Sequence, residues 1–520
     1  MAARLRLADL LAGLSVACDL GFGLPPEEAM RSSLVATALA RKMDLGEEVA
    51  GDTFYTALLL HVGCTGFAHE TAALFGDERA LLAAIARIDV ASPKEILTKV
   101  VPVATRGKSP LATARMTDIT MVRGQGFGKA FDTGSCEVAS AIARRIGLGE
   151  GIQQALYDTG EWWKGGSAPR GVRGEEIALP ARIARVAADA VALQDIGDQD
   201  LVVEGVTSRA GVTLDPSVAE ALAANAGEVM AEASAGDPRE RVLEMEPEPV
   251  AERDAADLRD LAAAFGDIAD LKTLFTHGHS AEVARLATRA AKNLRLDDRT
   301  VESLEVAALL HDVGRAAVSN AVWEKPGPLT TAEWEQVRMH AYQSERILAT
   351  SQALAPMAPI AGMHHERLDG SGYHRSCRGR DLSPAARVLA AADVFQAMTQ
   401  VRPHRGALTP EQAADQLKRE ARGGRLDSDA VAAVLEASGQ PSGRRRTDLR
   451  PGGLSEREID VVRLVAEGCS NAEVARRLVI SRRTAEHHVQ HVYTKLGVAS
   501  RPAVALFALE NDLLPKTAAA

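Results

Sequence analysis

A series of histidine and aspartate residues between positions 279 and 393 limits the folds open to this chain. The His311-Asp312 pair ends the apolar run Val306–Leu310, which is typical of a buried helix that points polar groups inward. Imidazole nitrogens and a carboxylate that can bridge two ions form a ligand set for borderline divalent metals. Unrelated core histidines are the alternative. A hydrolytic metal centre is therefore predicted from His279, His311, Asp312, His340, His364, His365 and Asp393.

Composition favours an all-α chain of several domains. At 520 residues the chain is long enough for about three domains of roughly 150 residues each. Aromatic residues make up only 4% of the chain and alanine is abundant, which favours packed helices over β-sandwiches. The five cysteines are scattered without a CxxC motif, so neither a disulfide framework nor a zinc ribbon is expected.

The same sequence gives an expectation about the compartment. No run of about 18 apolar residues occurs, and charged residues at Arg4, Arg6 and Asp9 interrupt the N-terminal segment. Unpaired, scattered cysteines suit a reducing environment. A cytoplasmic protein with no membrane partner is expected.

Two segments rich in proline, glycine or charge predict the domain boundaries. Residues 234–254 are acidic and contain Pro238, Pro247 and Pro249, so this segment is not expected to be a helix interior. Residues 438–453 combine small residues with three consecutive arginines. The predicted domains are therefore 1–233, 255–437 and 454–514, separated by linkers at 234–254 and 438–453.

The middle domain resembles the HD-GYP subfamily of HD-domain phosphohydrolases over residues 255–437. The family's signature proline is replaced by His374, and the lysine that usually follows the glycine after the HD dyad is Arg315. Neither position is a metal ligand in the family. The segments that carry the resemblance are Thr276–Ser280, Leu310–Arg315, Lys325–Thr330, His364–His374 and Ala392–Phe395.

The resemblance implies a binuclear centre of two divalent ions, such as iron or manganese. A glutamate that helps to hold a third metal in some relatives is Phe275 here, so two metals are expected. Two ions about 3.5–4 Å apart can stabilise the attacking and leaving oxygens in phosphoester hydrolysis. The family pattern assigns His279, His311, Asp312 and Asp393 to one ion, and Asp312 as a bridging catalytic carboxylate with His340, His364 and His365 to the other.

The resemblance also implies contacts to the phosphates and bases of cyclic di-GMP. Arg402-Pro403-His404-Arg405 stands where the family usually has Arg-Pro-Tyr-Arg. Forked guanidinium groups suit phosphate, and Arg315 is expected to act in catalysis as well. A centre that binds metal but has lost turnover is the alternative. The predicted substrate-binding residues are Arg315, Tyr373, Arg402 and Arg405.

Residues 454–514 resemble a LuxR-type helix-turn-helix domain. Ser455 with Glu458 and Ser470 with Glu473 predict two capping boxes, each opening a helix. A generic helical oligomerisation module is the alternative. The segments that carry the resemblance are Leu454–Glu458, Leu464–Ala475, Leu478–Ser481, Lys495–Val498 and Ser500-Arg501, with Gly468 and Gly497 placed to end helices.

A helix over about 482–496 is predicted to enter the major groove of double-stranded DNA. Its inner face shows helical spacing at Ala485, Val489, Val492 and Leu496. By the resemblance, Glu486, His487 and Gln490 face base edges and the basic residues touch phosphate. Because one such domain binds weakly, a homodimer is expected. The predicted DNA-binding residues are Arg482, Arg483, Thr484, Glu486, His487, Gln490 and Lys495.

The first domain contains a weaker copy of the HD-GYP unit. Glu161–Gly174 aligns without gaps to Glu366–Gly379, and in this alignment Thr159-Gly160 replace His364-His365 while Ala188 replaces Asp393. Further upstream, His61 is aligned with His311, Val62 falls at the Asp312 position, and Glu28 falls near the position of His279. Only His61 remains as a possible ligand. A degenerate domain with a sensory, regulatory or dimerising role is predicted, and a plain helical domain is the alternative.

These expectations combine into a one-component regulator. The chain is predicted to be a DNA-binding transcriptional regulator whose phosphohydrolase domain acts on or senses a cyclic dinucleotide such as cyclic di-GMP. Two other functions stay open: a nucleotide-sensing transcription factor without turnover, and a phosphohydrolase of other specificity whose helix-turn-helix only localises it.

Overall fold

The computed structural model describes residues 4–442, 454–498, 500–511 and 513–514. In these residues nearly all regular structure is helical, which confirms the all-α prediction. The chain divides into a large unit, Met1–Ser442, and a small unit, Gly443–Ala520. No helix in the described ranges is both long enough and apolar enough to cross a bilayer.

The first half of the large unit, residues 4–245, begins with strand β1 (Arg4–Arg6). Short 3₁₀ segments lie at Cys64–Phe67 and Gly174–Glu176, and π-helical turns lie at Ile96–Val100 and Ile119–Arg123. The helices of the first half are α1 (Leu7–Phe22), α2 (Glu28–Lys42), α3 (Glu47–Leu58), α4 (Ala68–Phe75), α5 (Glu78–Ile85), α6 (Pro93–Glu95), α7 (Val101–Ala104), α8 (Pro110–Asp118), α9 (Gly124–Arg145), α10 (Glu150–Asp158), α11 (Leu179–Gln194), α12 (Gln199–Arg209), α13 (Pro216–Ala233) and α14 (Pro238–Met245).

The second half of the large unit, residues 252–442, begins with strand β2 (Glu252–Asp254), which pairs antiparallel with β1 so that Leu5 lies opposite Arg253. Its 3₁₀ segments are Ala255–Asp257, Val313–Ala317 and Gly379–Asp381. The helices of the second half are α15 (Leu258–Leu271), α16 (His279–Asn293), α17 (Asp298–Leu310), α18 (Asn320–Trp323), α19 (Thr331–Thr350), α20 (Ala358–Gly362), α21 (Pro384–Thr399), α22 (Pro410–Arg422) and α23 (Ser428–Ala437).

The two halves repeat one helical plan, and buried carboxylates mark the correspondence. Near the end of α1, Asp19 accepts a hydrogen bond from the backbone N–H of Ala29 at 3.2 Å, at the start of α2. Near the end of α15, Asp270 accepts one from the N–H of Ser280 at 2.8 Å, at the start of α16. Each pair fixes the angle between the first two helices of its half.

A buried glutamate holds the equivalent loop in each half. Glu161 accepts hydrogen bonds from the N–H groups of Arg170 and Gly171, and Glu366 accepts them from Arg375 and Cys377. Both loops lead through a 3₁₀ turn into a helix of 16 residues, α11 or α21. Equivalent contacts therefore recur in the two halves of the large unit.

The segment expected to be a linker at 234–254 is folded onto the first half. It contains α14, where Pro238 occupies the first turn and Asp237 caps the helix through a bond to the N–H of Arg239. Proline is tolerated there because the first helical N–H groups have no partner within the helix. Glu246 is buried and accepts hydrogen bonds from Tyr55 and Arg6. Proline content alone therefore misidentified this segment as a linker.

Polar contacts tie the two halves together around one shared apolar core. Glu78, on α5, accepts hydrogen bonds from Ser319 Oγ at 2.6 Å and Asn320 N at 2.9 Å, and lies 3.1 Å from Lys272 Nζ. Glu78 and Lys272 are both buried. A lone buried ammonium is costly, so this pair needs both halves in place.

The small unit contains four helices in its described residues: α24 (Glu456–Ala466), α25 (Asn471–Leu478), α26 (Arg482–Leu496) and α27 (Arg501–Glu510). Both predicted capping boxes are present, with Ser455 at the start of α24 and Ser470 at the start of α25. Gly497 ends α26 with φ of 65°. The sequence therefore predicted the bounds of the small unit's helices closely.

Candidate metal centre and DNA-recognition helix

Five helices of the second half deliver the histidine and aspartate series to one buried place. His279 opens α16 and His340 lies in α19. The His311-Asp312 pair directly follows α17, and Asp393 lies in α21. His364-His365 follow α20, and of the seven side chains His365 alone is partly exposed.

The carboxylate of Asp312 lies at the middle of the series. Its Oδ2 atom is 3.8 Å from His279 Nε2 and 3.7 Å from His311 Nε2. Its Oδ1 atom is 3.4 Å from His340 Nε2 and 3.7 Å from His364 Nε2. The two oxygens therefore face two different pairs of imidazoles.

Asp393 completes the ring of donors from the other side. Its Oδ1 atom is 3.3 Å from His279 Nε2 and 3.9 Å from His311 Nε2, and its Oδ2 atom is 3.8 Å from His365 Nδ1. Ligand atoms of His279, His311 and Asp312 lie within 4.8 Å of one another, and so do those of His340, His364 and His365.

Backbone and side-chain acceptors fix the orientation of four of the imidazoles. The Nδ1 atoms of His311, His340 and His364 contact the carbonyl oxygens of Ala308, Val337 and Ala361, each three residues earlier. His279 Nδ1 lies 3.1 Å from Gln400 Oε1. If Nδ1 carries the proton, each Nε2 lone pair points into the centre, as a metal ligand requires.

The protonation states of the histidines and of Asp312 also suit metal binding. Burial lowers the pKa of His279 and His365, and brings that of His364 to about 3, so these imidazoles are neutral at pH 7. Burial opposes ionisation of Asp312, but His311 and Arg315 outweigh it and hold the pKa of this carboxyl well below its usual range. Neutral imidazoles and ionised carboxylates are the forms that bind divalent metals.

One atom tests whether a metal fits. His311 Nε2 is buried and has no hydrogen-bond partner among the described residues. A buried polar atom without a partner costs about 1–3 kcal/mol, and a metal ion would satisfy it. The donor set of imidazoles and carboxylates suits borderline divalent ions. The residues present therefore fit divalent metal.

Three of the four predicted substrate-binding residues lie at the edge of the centre. Arg315 Nη1 is 3.1 Å from Asp312 Oδ2, and the guanidinium stacks 4.2 Å from the ring centroid of Trp323. Tyr373 packs against His365 with ring centroids 4.8 Å apart. Burial, followed by the nearby charge of Arg315, lowers the pKa of Arg402 to about 10, so the guanidinium stays cationic at pH 7.

Arg405 contacts the end of a helix, although it was expected to contact substrate phosphate. Its guanidinium donates hydrogen bonds to the carbonyl oxygens of Ala397, Met398 and Gln400, at the C-terminal end of α21. Cations are favoured there because the last carbonyls of a helix lack internal partners. The donors expected to meet phosphate are occupied by this helix end, so Arg405 has a structural contact.

Three residues at the centre were missed by the sequence reasoning. Gln400 orients His279, Trp323 stacks on Arg315, and Glu366 holds the loop that carries Tyr373. Glu366 had a signal, because it aligns with Glu161 in the repeat. Gln400 and Trp323 had none, since no local pattern marks a side chain that acts through another.

The structure corrects the alignment of the first half by one residue. A Cβ on Gly63 would overlap the backbone of Ser135 and Ala139, and a Cβ on Gly314 would overlap that of His340 and Ser344. The two glycines therefore pack identically against α9 and α19. His61, two residues before Gly63, takes the place of Asp312 rather than that of His311.

Helix α26 of the small unit presents the predicted recognition residues. Ala485, Val489 and Val492 are buried, and Leu496 packs against the same core. Of the polar set, Arg482 lies 3.1 Å from Glu486. Lys495 Nζ lies 2.7 Å from Glu458 Oε2, a contact that competes with the expected one to phosphate. All seven predicted DNA-binding side chains are exposed: Arg482, Arg483, Thr484, Glu486, His487, Gln490 and Lys495.

Comparison with known families agrees with both units. Residues 263–430 match the family described as HD domain, and residues 453–508 match the family described as bacterial regulatory proteins, luxR family. These ranges cover the metal centre and all of the residues assigned to DNA recognition.

Curated relatives and a solved structure extend the match to the first half. The chain is 31% identical over 413 residues to 3'3'-cGAMP-specific phosphodiesterase 3 of Vibrio cholerae, covering 78% of this chain and 89% of the relative. It is 34% identical over 148 residues to a cyclic di-GMP phosphodiesterase of Thermotoga maritima, covering 28% of this chain and 40% of that protein. A crystal structure of a cyclic GMP-AMP specific phosphodiesterase from V. cholerae shares 26% identity with a TM-score of 0.58, and the match covers 85% of this chain and 100% of that one. The chain therefore belongs to the HD-domain phosphohydrolases related to these enzymes, with a LuxR-family domain at its C-terminal end.

Proposed function

We propose that the second half is a metal-dependent phosphodiesterase that hydrolyses a cyclic dinucleotide. The observation that supports this best is the position of Asp312, whose Oδ1 and Oδ2 atoms face separate pairs of histidines. A carboxylate with this geometry can bridge two ions. The relatives named for cyclic dinucleotides support the substrate class.

Two divalent ions bound there would lower the pKa of a water molecule and stabilise both oxygens that exchange at phosphorus. The ligands proposed are the seven histidines and aspartates that the sequence predicts. Asp312 would serve both ions, with His279, His311 and Asp393 on its Oδ2 side and His340, His364 and His365 on its Oδ1 side.

Arg315 and Arg402 would bind the phosphates. Trp323 and Asp312 hold the Arg315 guanidinium from two sides, while its Nε atom is buried without a hydrogen-bond partner in the described residues. That Nε atom would donate a hydrogen bond to a phosphate oxygen. Arg402 lies close enough to add a second cation. Tyr373 offers an aromatic face beside His365 for a base or ribose.

The test is metal content and hydrolysis of the full-length protein. Asp312→Asn keeps the shape of the side chain and removes its charge, so bound metal is expected to fall from about two ions per chain to one or none. Hydrolysis of cyclic di-GMP and 3'3'-cGAMP is expected to fall by about 10³-fold, in line with the loss of a central electrostatic group. Comparing the two substrates also shows whether the site prefers two guanines or one guanine and one adenine.

The matched control is Asp267→Asn, which removes a partly exposed carboxylate in the same half. It is expected to leave metal content and hydrolysis unchanged. Full metal and full turnover in Asp312→Asn would contradict the binuclear assignment. A protein that binds two ions and both nucleotides without hydrolysis would instead be a sensor.

We propose further that the small unit binds double-stranded DNA through α26, as a homodimer on paired half-sites. Support comes from the LuxR-family match and from the exposure of the recognition residues on one side of a well-capped helix. Arg482, Arg483 and Thr484 would contact phosphate near the helix N-terminus, where backbone N–H groups also favour anions. Glu486, His487 and Gln490 would reach base edges.

A titration of the full-length protein against cognate and scrambled duplexes tests this assignment. Gln490→Ala is expected to cost about 1–3 kcal/mol on the cognate duplex and little on the scrambled one. Arg483→Ala is expected to weaken both complexes and to reduce the salt dependence by about one counterion. Lys495→Ala is expected to weaken binding less than Arg483→Ala does, because Glu458 already holds the ammonium of Lys495. Binding without any salt dependence would contradict the DNA-binding role.

A further inference from the structure

The first half contains a cavity of about 520 Å³ at the place that corresponds to the metal centre. By the corrected alignment Glu28 stands for His279 and His61 stands for Asp312. Thr159, Gly160 and Ala188 stand for His364, His365 and Asp393. All five of these residues line the cavity. The first half therefore lacks most of the metal-ligating side chains of the second half, and a cavity lies in their place.

The chemistry of this cavity differs from that of the centre in the second half. Cys64, which takes the position of Arg315, lines the cavity, and burial raises the pKa of its thiol well above the usual value. Arg209 is held by Asp189 at 2.5 Å. At the position of Arg315 a phosphate would therefore meet a thiol instead of a guanidinium, and Arg209 is already paired with Asp189.

An insertion supplies an apolar wall instead. The chain from the 3₁₀ segment Cys64–Phe67 to α9 contains α4–α8, whereas the matching connection from Val313–Ala317 to α19 contains only the short helix α18. Buried Phe75, Leu81 and Leu82 from this insertion line the cavity. A wall of this kind favours an apolar ligand through burial of its surface.

Two buried hydrogen-bonding side chains, Glu28 and Ser135, also line the cavity. Glu28 Oε2 and Ser135 Oγ are buried and have no hydrogen-bond partner in the described part of the chain. Burial, followed by the charges of Asp195 and Asp19, raises the pKa of Glu28 to about 8, so its carboxyl is mostly neutral at pH 7. Arg31 lies 3.6 Å from Glu28 Oε2, beyond hydrogen-bond distance. Neutral groups without a hydrogen-bond partner are satisfied by a polar, uncharged group.

We propose that this cavity binds an uncharged, mainly apolar small molecule that carries one hydrogen-bonding group. The apolar body would lie against Leu81, Leu82 and Phe131, and the polar group would face Glu28 and Ser135. The volume is within the range of small-molecule sites, about 300–1,000 Å³. The cations that line the cavity, Lys129, Lys164, Arg185 and Arg209, share it with the acidic residues Glu28, Asp132 and Asp189, so a cyclic dinucleotide with two phosphates is not the expected ligand.

Glycines on α9 allow a matched pair of variants. Gly128 lines the cavity and Gly126 does not, although both are on the same helix. A Cβ added at either position meets nothing within 4 Å. Gly128→Phe therefore places a benzyl group in the cavity and reduces its volume, and Gly126→Phe places the same side chain outside it. Both changes replace a helical glycine, which costs no helix propensity.

The experiment is a fluorescence titration of the full-length protein with N-phenyl-1-naphthylamine, a neutral apolar probe. The wild type is expected to bind about one probe per chain with saturation. Gly128→Phe is expected to weaken binding by about tenfold or more, while Gly126→Phe binds as the wild type does. Cyclic di-GMP is expected not to displace the probe. Because probe fluorescence does not depend on hydrolysis, a negative result would refute the cavity proposal without affecting the proposed enzyme function.

Three results would overturn the proposal: no saturable binding to the wild type, unchanged affinity in Gly128→Phe, or displacement of the probe by cyclic di-GMP. Thermal unfolding checks that each variant is folded. Should Gly128→Phe not fold, Ala188→Leu gives a second way to reduce the cavity, at the position that corresponds to Asp393. The same loss of probe binding is expected from it.

Discussion

Helix α2 of the first half begins with Glu28, where helix α16 of the second half begins with His279. The helices around these two residues are arranged alike, and the buried bonds that hold them are kept: Asp19 matches Asp270, and Glu161 matches Glu366. The difference lies in the residues that point into the central space. The packing of this fold therefore does not depend on the metal ligands, and the centre can change its chemistry while its scaffold remains.

The largest expected effect is a loss of metal and hydrolysis that distinguishes the metal centre of the second half from the equivalent cavity of the first. His364→Ala removes a proposed ligand, so metal content is expected to fall and hydrolysis to drop by at least about 10²-fold. Thr159→Ala changes the equivalent residue of the first half and is expected to leave both unchanged. The measurement is metal analysis with a hydrolysis assay. If Thr159→Ala removes metal, the first half is not a degenerate copy.

A smaller effect tests the shared scaffold. Glu366→Gln and Glu161→Gln each remove the charge that accepts two backbone N–H bonds in a buried loop. Both are expected to lower the free energy of unfolding by about 1.5–3 kcal/mol, measured by urea denaturation. Only Glu366→Gln is expected to reduce hydrolysis as well, because its loop carries Tyr373. Equal hydrolysis in both variants would mean that this loop has no part in the centre.

The effect with no expected consequence for hydrolysis is a pH dependence of stability confined to the first half. The folded pKa of Glu28, about 8, lies above its ordinary value because the carboxyl is buried near Asp195 and Asp19. Arg31, 3.6 Å away, opposes this shift only in part. Since the folded state prefers the protonated form, the stabilisation is complete below the unfolded pKa and is lost as pH rises toward 8.

Unfolding free energies at pH 5 to 8 check this sign. The wild type is expected to lose stability with a slope of at most about 1.4 kcal/mol per pH unit from this group. Glu28→Gln stays neutral throughout and is expected to show a shallower slope. Identical slopes would show that Glu28 is ionised in the folded protein. Hydrolysis at constant pH is expected to be the same in both proteins.

Sequence patterns predicted local features best. The capping boxes at Ser455 and Ser470 placed two helix starts, because a cap depends only on residues within one turn. The order of histidines and aspartates also predicted which side chains meet, since the family resemblance supplies long-range information that spacing alone lacks.

Contacts between distant residues account for what the sequence could not predict. The role of Arg405 depends on the carbonyl groups at the end of α21, and that of Gln400 depends on the approach of His279. The alignment of His61 was off by one residue because two glycine contacts, and not the adjacent leucine, determine it. The segment at 234–254 was taken for a linker because its prolines do not show that Glu246 is buried.

The pair between Glu78 and Lys272 limits how this protein can be divided. A fragment that starts at residue 252 would lose the carboxylate that pairs with Lys272, and it would expose to water both this ammonium and the apolar core that the two halves share. The apolar surface newly exposed to water would destabilise such a fragment. The two halves are therefore expected to unfold as one cooperative unit. By mass action, a small molecule that binds only the folded first half would also protect the second half from unfolding.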